Sequence, residues 1–545
     1  MLVGTLNRPF EIAFESQAEY GDIFQEVDLD VVFSGEDGET WRVPAFWSGE
    51  GRFRVRFAAP RAGLYHWTSE CSNSDDLGLH GRRGDLRILA KEDPSPLFRH
   101  GRLRVSSSGR TLEHADGTPF LWLADTWLMG MTSRLDWPDG FRRLVADRVH
   151  KGFNTGQIVL GPLPDFNATT ATWDPQQANE AGWPWEEGYK RINPSYFDQA
   201  DLKIAYMVEK GILPCIVGMW GYYLPSMGLD RCRRHWRYLV ARYGAYPVAW
   251  CIAGECTMPT YEHHGTDEYE RDRKTQVDGW TEIARDLRAL DPFHNPATIH
   301  PTCETSGRLS LLDGSLVDFD MLQTGHSSYL SLLPSLEALR KATDCAPRIP
   351  VLNAEVNYEG ILGGSKDEVQ RYLFWANLLE GACGFTYGAQ GIWAMNDRNA
   401  PYHGSTGSWG DGFWQDAMHA PGSGHVGLGA RILRTLPWWR LRPSEETAAV
   451  SEGHSFSLVG RIPGELVVVY LPCNCLPLDA LGNQRNWGRP FPIRIEPDAS
   501  YTATYLNPRT GERIPIGEVV AEKGSWQPPV KPTMEDWVLI MEDLR

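Results

Sequence analysis

Residues 348–355, RIPVLNAE, carry an apolar stretch of buried-strand type straight into a carboxylate at Glu355, and residues 246–255, YPVAWCIAGE, do the same into Glu255. An acid ending a buried strand is costly to desolvate without a purpose or a partner. The plain alternative for either one is a structural ion pair or a loop acid in solvent. Working outward, PFLWLAD, FNTGQIVL, ILPCIVGMW, NPATIHP, DFDMLQTGH and CGFTYGAQGIW have the same character. Eight such runs begin near residues 119, 153, 212, 247, 297, 318, 349 and 383.

Helical patterns separate them. Asp136-Trp137-Pro138 opens one, with Phe141, Leu144, Val145 and Val149 on a single face and Gly152 past its end. Asn193-Pro194 opens another, with Phe197, Ala200, Ile204 and Val208 on one face and Gly211 as its stop. Further helices are expected through Arg233 to Tyr243 and from Asp367 to Glu380. Eight strand–helix units make an α/β chain, and specifically a (β/α)8 TIM barrel with long insertions. A doubly wound sheet would want a glycine-rich phosphate loop after its first strand, where this chain has Asp125-Thr126-Trp127.

The flanks read differently. Residues 1–95 alternate short apolar runs with glycine-rich turns (IFQEVDLDVVF, WRVPAFW, FRVRFAAP, GLYHWTSEC), the pattern of an N-terminal β-sandwich. AKEDPSPLF is its exit linker. The barrel is expected over residues 96–442, and HSFSLVGR, GELVVVYL, YTATYLNPRTGE and DWVLIM over 443–545 read as a small antiparallel β domain.

Composition narrows the function. The 545 residues are 42% hydrophobic and 23% charged, ordinary for a globular protein. No stretch approaches the roughly 20 apolar residues of a membrane helix. A net charge of −17 repels phosphate backbones, so neither nucleic acid nor an anionic membrane is an expected partner. The N-terminus lacks the features of a secretory signal, and ten scattered cysteines form no disulfide framework; Cys215, Cys251 and Cys383 read as buried thiols. A cytoplasmic location is expected. Cys473-x-Cys475 and His263-His264 lack the spacing of a metal set, no H-E-x-x-H, Walker, dinucleotide or G-x-S-x-G motif occurs, and neither metal nor cofactor is expected. The 22 tryptophans suit both a packed core and stacking on sugar faces.

Barrel enzymes react at the C-terminal ends of their strands. In a closed barrel the ends of the fourth and seventh strands face one another, so Glu255 and Glu355 are the candidate catalytic pair. Two opposed carboxyls are the minimum equipment for splitting a glycosidic bond. Asp125, Trp127, Trp220, His300, Gln323, His326, Tyr358, Tyr387 and Trp393 are the candidate sugar-binding residues at other strand ends. A tyrosine there, such as Tyr387, can donate to the nucleophile and keep it ionised.

PFLWLADTWLMG, KGFNTGQIVLGP, VAWCIAGE and IPVLNAEVNYEG together resemble the apiosidase-like glycoside hydrolases, with flanks resembling the β-sandwich and β domain that often accompany that barrel. The resemblance implies a retaining (β/α)8 glycosidase with Glu355 as nucleophile and Glu255 as general acid/base. The family often carries aspartate where Glu255 stands. With two flanking β domains expected to narrow the mouth, the expected function is exo-acting release of a terminal apiose-like or other pentose unit from a small glycoside. An arabinofuranosidase, xylosidase or glucosidase of the same mechanism, and a non-catalytic carbohydrate-binding protein, are the alternatives. A homo-oligomer is compatible with the sequence.

Overall fold

The computed structural model describes residues 1–164, 174–303, 305–401, 410–444, 458–473 and 490–544. Eight parallel strands form one sheet: β1 (Trp122–Thr126), β2 (Thr155–Val159), β3 (Leu213–Val217), β4 (Ala249–Cys251), β5 (Ala297–Thr298), β6 (Asp320–Gln323), β7 (Val351–Glu355) and β8 (Gly384–Tyr387). β1 pairs with both β2 and β8, and the ladder runs without a break from β5 round to β6. The eight expected strands are all present. PFLWLAD divides, however, since Pro119–Phe120 joins a small separate sheet and only Trp122 onward enters the barrel.

The longer described helices of the connections are α1 (Asp139–Lys151), α2 (Pro194–Glu209), α3 (Leu229–Tyr243), α4 (Asp267–Leu290), α5 (Leu332–Asp344), α6 (Asp367–Leu379) and α7 (Pro421–Leu433). Their ends follow the local chemistry. The Asn193 side chain accepts from the Ser195 N–H to start α2, and Gly152, at φ 94°, ends α1 in the left-handed region. The β5–β6 connection departs from the expected pattern: its described residues form two short 3₁₀ turns, Arg308–Ser310 and Gly314–Leu316.

β5 and β6 do not pair as strands, and their connection plugs the gap. Gly307 N donates to Met321 O at 2.8 Å, Arg308 N to the Asp320 carboxylate at 2.8 Å, and Ser306 bridges to Leu322. At the seam's other end Asp318 N donates to Ala297 O at 2.7 Å. The barrel is thereby nearly closed.

Two sheets precede the barrel, one of five strands and one of three, around a core that includes Phe14, Val31, Phe33, Val55, Phe57 and Leu86. IFQEVDLDVVF is not one strand. Asp22 caps a helical turn, Ile23–Glu26, by accepting from Phe24 and Gln25 N–H groups, Phe24 packs edge-on to Trp185, and the strand begins only at Leu29. Arg56 fastens the sandwich to the barrel between Glu11 and Asp201. After the barrel a six-stranded antiparallel sheet has Trp537–Asp543 at its centre, flanked by Leu466–Leu471 and Tyr501–Leu506. His454 to Ser457 of HSFSLVGR and Cys475 of the C-x-C pair lie outside the described residues; Cys215, Cys251 and Cys383 are buried free thiols, as expected. No described helix is long and apolar enough to cross a membrane.

The seam makes a specific demand on Gly307: a Cβ there would lie 2.3 Å from Ile299 O. Gly307→Ala should therefore cost about 1–3 kcal/mol of stability, the usual penalty for overpacking. Chemical denaturation checks this, and an unchanged midpoint would show that the plug does not close the barrel.

Candidate active site

Glu355 is the last residue of β7, whereas Glu255 follows β4 on a short extension. The extension is pinned from both sides: Gly254 N donates to Met219 O at 3.0 Å and Cys256 N to His300 O at 3.0 Å. Between these anchors Glu255 sits at φ 39°, a left-handed conformation that costs a side-chain-bearing residue about 1–3 kcal/mol. Its neighbour must be glycine, because a Cβ on Gly254 would lie 2.3 Å from the Trp220 ring. With the ring laid against that bare backbone, Trp220 Nε1 donates to Glu255 Oε2 at 3.2 Å.

The two carboxyls are joined through one amide. Gln323 Nε2 donates to Glu255 Oε1 and to Glu355 Oε1, each at 3.0 Å, so those two oxygens are at most 6.0 Å apart. A register irregularity after Leu322 brings Gln323 level with Glu355 on the adjacent strand. His326 Nε2 lies 2.8 Å from Glu355 Oε1, and His300 Nε2 stands 3.4 Å from Oε2 without the alignment of a hydrogen bond. The Tyr358 phenol also reaches Glu355.

These surroundings separate the two acids. For Glu255, burial and then the facing Glu355 charge push the pKa up. For Glu355, burial pushes the same way, but His300 and His326 outweigh it and hold the carboxyl well below the usual range. The two surroundings push in opposite directions, so Glu255 is the readier of the pair to hold a proton and Glu355 the readier to lose one.

A cavity of about 530 Å³ opens over the pair, a size typical of small-molecule sites. Besides the two acids, Trp220, Gln323, His326, Tyr358 and Trp393 line it, all named from sequence. Tyr358 packs with its ring 4.5 Å from that of His326 and stacks on Trp393 at 6.3 Å. His300 lies beneath, 1% exposed, and supports Glu355 from behind. Every described lining residue belongs to the barrel or its loops, and no described residue of the flanking β regions lines the cavity. Missed from sequence were Met258, Tyr261, Tyr269 and Arg273 on the wall beside Glu255, and Leu362 opposite. These lie in loops and on α4, away from strand ends; the long insertion after Glu255 was the available signal.

Asp125, Trp127 and Tyr387 are corrections, since none of them lines the cavity. All three are fully buried. Asp125 is paired with Arg148 at 2.6 Å and accepts from Trp127 Nε1 at 2.8 Å, so burial found it a partner on α1 in place of a sugar. Tyr387 donates to Glu359 at 2.5 Å, and Tyr358 takes the position expected of it beside the nucleophile candidate. His263 bonds to Asp272, and the described residues contain no group of three or more ligands that could hold a metal.

Residues 106–440 match the family described as "Apiosidase-like, catalytic domain". The chain belongs to the apiosidase-like family. Residues 7–72 match a second family, a domain of unknown function. A solved glycoside hydrolase is similar at 22% identity and TM-score 0.67, covering 83% of this chain and 99% of the other. A glycoside hydrolase family 5 protein from Bacteroides vulgatus matches at 22% identity and TM-score 0.66, over 83% of this chain and 95% of that one. A second Bacteroides vulgatus protein matches over the full length of both chains at 17% identity and TM-score 0.72. At these identities the structures attest the fold; no curated protein matches the chain. This member of the apiosidase-like family is a glycoside hydrolase with a carbohydrate substrate.

The Asp125 correction is testable. Asp125→Ala removes the fully buried carboxylate from Arg148, which keeps Asp147 and the Met418 carbonyl, and should cost up to about 3–5 kcal/mol. Sugar binding to folded protein, followed by tryptophan fluorescence, should be unchanged. A loss of binding with stability intact would return Asp125 to the sugar site.

Proposed function

We propose that this glycoside hydrolase works with retention, through a glycosyl-enzyme, at the Glu255–Glu355 pair. Glu355, held ionised, attacks the anomeric carbon while Glu255 gives its proton to the departing oxygen. Glu255, now a carboxylate, takes a proton from water as that water attacks the same carbon. The second displacement frees Glu355, returns the proton to Glu255 and releases the sugar with its original configuration. The amide shared between the carboxyls is the observation that carries this reading. A limit of 6.0 Å between the bridged oxygens is compatible with the approximately 5–5.5 Å of retaining enzymes, and falls short of the roughly 6.5–9.5 Å that admits water between the acids in inverting ones.

The exo reading rests on the cavity. Its wall includes Leu128 after β1, Trp220 after β3, Thr302 after β5 and Trp393 after β8, so residues following several strand ends stand around the acids. A surrounded pocket accepts a chain end more readily than a chain interior. The glycone is proposed to be an apiose-like or other pentose unit, on the family's description alone. A panel of aryl glycosides separates this from an arabinofuranose, xylose or glucose specificity.

Division of labour between the acids gives the test. Glu355→Ala should abolish turnover of every substrate. Glu255→Ala should still form the glycosyl-enzyme from an activated aryl glycoside and accumulate it as a burst. Azide should restore its turnover and yield a glycosyl azide of the substrate's own configuration. Reversed behaviour would swap the roles, and full activity in both variants would dismiss the site.

The pH profile follows from the same roles. The reactive state needs Glu355 ionised and Glu255 protonated. Lowering the Glu355 pKa moves the acidic limb of kcat/KM below the ordinary glutamate value of about 4.3, and raising that of Glu255 moves the alkaline limb above it. Activity should fall as pH rises through the second limb. An alkaline limb at or below the ordinary value would contradict a protonated Glu255.

A further inference from the structure

Two carboxyls this close, in an enclosed site and holding one proton between them, have an obvious alternative to catalysis. They can bond directly, O–H to O⁻, in a short charge-assisted hydrogen bond. That bond would point the acid's proton at the nucleophile rather than at a leaving group, and would occupy the nucleophile's lone pair.

The geometry points to Gln323 as a positioning residue that keeps the two acids from sharing their proton. Its amide has two N–H bonds, and each carboxyl takes one at 3.0 Å. The bridged oxygens, Oε1 of each residue, thus face donors instead of each other. On Glu355 the same oxygen also meets His326 at 2.8 Å, so it is doubly anchored. On Glu255 the bridged oxygen makes the shorter bond, 3.0 Å against 3.2 Å from Trp220 to Oε2. A carboxylic acid accepts better through its carbonyl oxygen than through its hydroxyl oxygen, so this arrangement favours the proton on Oε2.

The amide's orientation is itself fixed. Reversed, it would set Gln323 Oε1 against two carboxyl oxygens; as it stands, that atom is buried with no hydrogen-bond partner. An unsatisfied buried acceptor is destabilising. The site bears that penalty while using both amide protons on the acids. Within the pair's surroundings, Trp220, His300 and Glu355 face Glu255, and His300, His326, Tyr358 and Glu255 face Glu355. Among the described residues, it is the Gln323 side chain that donates to both carboxyls through one atom.

This inference rests on the acid and nucleophile roles proposed above, and its test needs no substrate. Infrared difference titration of the full chain reads the protonated carboxyl band, and Glu255→Gln identifies the Glu255 contribution to it. Gln323→Met preserves the side chain's reach and removes both donors. Loss of the N–H bond and formation of a direct carboxyl–carboxyl bond both raise the second proton loss of the pair. The Glu255 band should therefore vanish about one pH unit higher in Gln323→Met than in the parent chain. Gln323→Glu, which preserves shape while adding a third acid, should raise it further, and provides the same reading should the methionine variant fail to fold.

Where turnover is measurable, Gln323→Met should lower kcat about 10-fold or more on poor leaving groups and much less on activated aryl glycosides, because misdirected acid is felt in proportion to the need for it. An unmoved carboxyl titration in a folded variant would overturn the inference, as would a uniform rise in KM with the pH limbs in place, which is the mark of a plain sugar contact. Failure of the azide experiment with a shifted titration would overturn the proposed roles and leave the amide's control of the pair standing.

Discussion

Two like charges in one water-poor space repel, and much of the architecture around this barrel's mouth answers that constraint. Had both acids the same surroundings, neither protonation state would be assigned to either. Here the surroundings differ by element. The seventh strand's acid is met by His300 and His326 from the fifth and sixth strand ends, while the fourth strand's acid is met by an indole and an amide. Neutral donors leave the second acid's charge less compensated, which favours its protonated form. On the proposed mechanism, asymmetry of donors rather than any unusual acid produces the division of labour.

That asymmetry depends on backbone devices that position the donors. The irregularity between the sixth and seventh strands sets Gln323 beside Glu355. The left-handed turn at Glu255 aims its carboxyl back toward them, and the glycine before it lets Trp220 approach closely enough to bond. Strain of this kind is tolerated where neighbouring hydrogen bonds over-determine the backbone, as those to Met219 and His300 do here.

Much of this was legible beforehand. Buried parallel strands read as apolar runs, so all eight could be located, and an acid terminating such a run is conspicuous. The same logic misled at Asp125: a strand-ending acid can equally be answered by a buried arginine, and Arg148 lies on a helix whose register against β1 no local pattern reveals. Tyr358 stands where Tyr387 was expected because which tyrosine faces the cavity depends on how β7 and β8 continue past their ladders. The helical turn at Ile23 was hidden by alternation that suits a strand, since its determinant is a single capping aspartate and a tertiary contact with Trp185. The wall formed by Met258, Tyr261 and Tyr269 belongs to a connection with no strand to index it.

The last sheet has a consequence for how the chain is made. Its central strand, Trp537–Asp543, is the final one in sequence, and the strands it joins begin at Leu466 and Tyr501. One face of this sheet packs on α6: Tyr470 stacks on Trp375 at 6.3 Å, and buried Asp536 binds both Arg371 and the Tyr470 hydroxyl. α6 is the helix that follows the strand bearing Glu355. During synthesis its outer face therefore stays wet, with Arg371 lacking its buried partner, until residues 536–543 have left the ribosome. A vectorially growing chain can assemble the sandwich early, but it completes the support behind its seventh strand only after residues 536–543 have emerged.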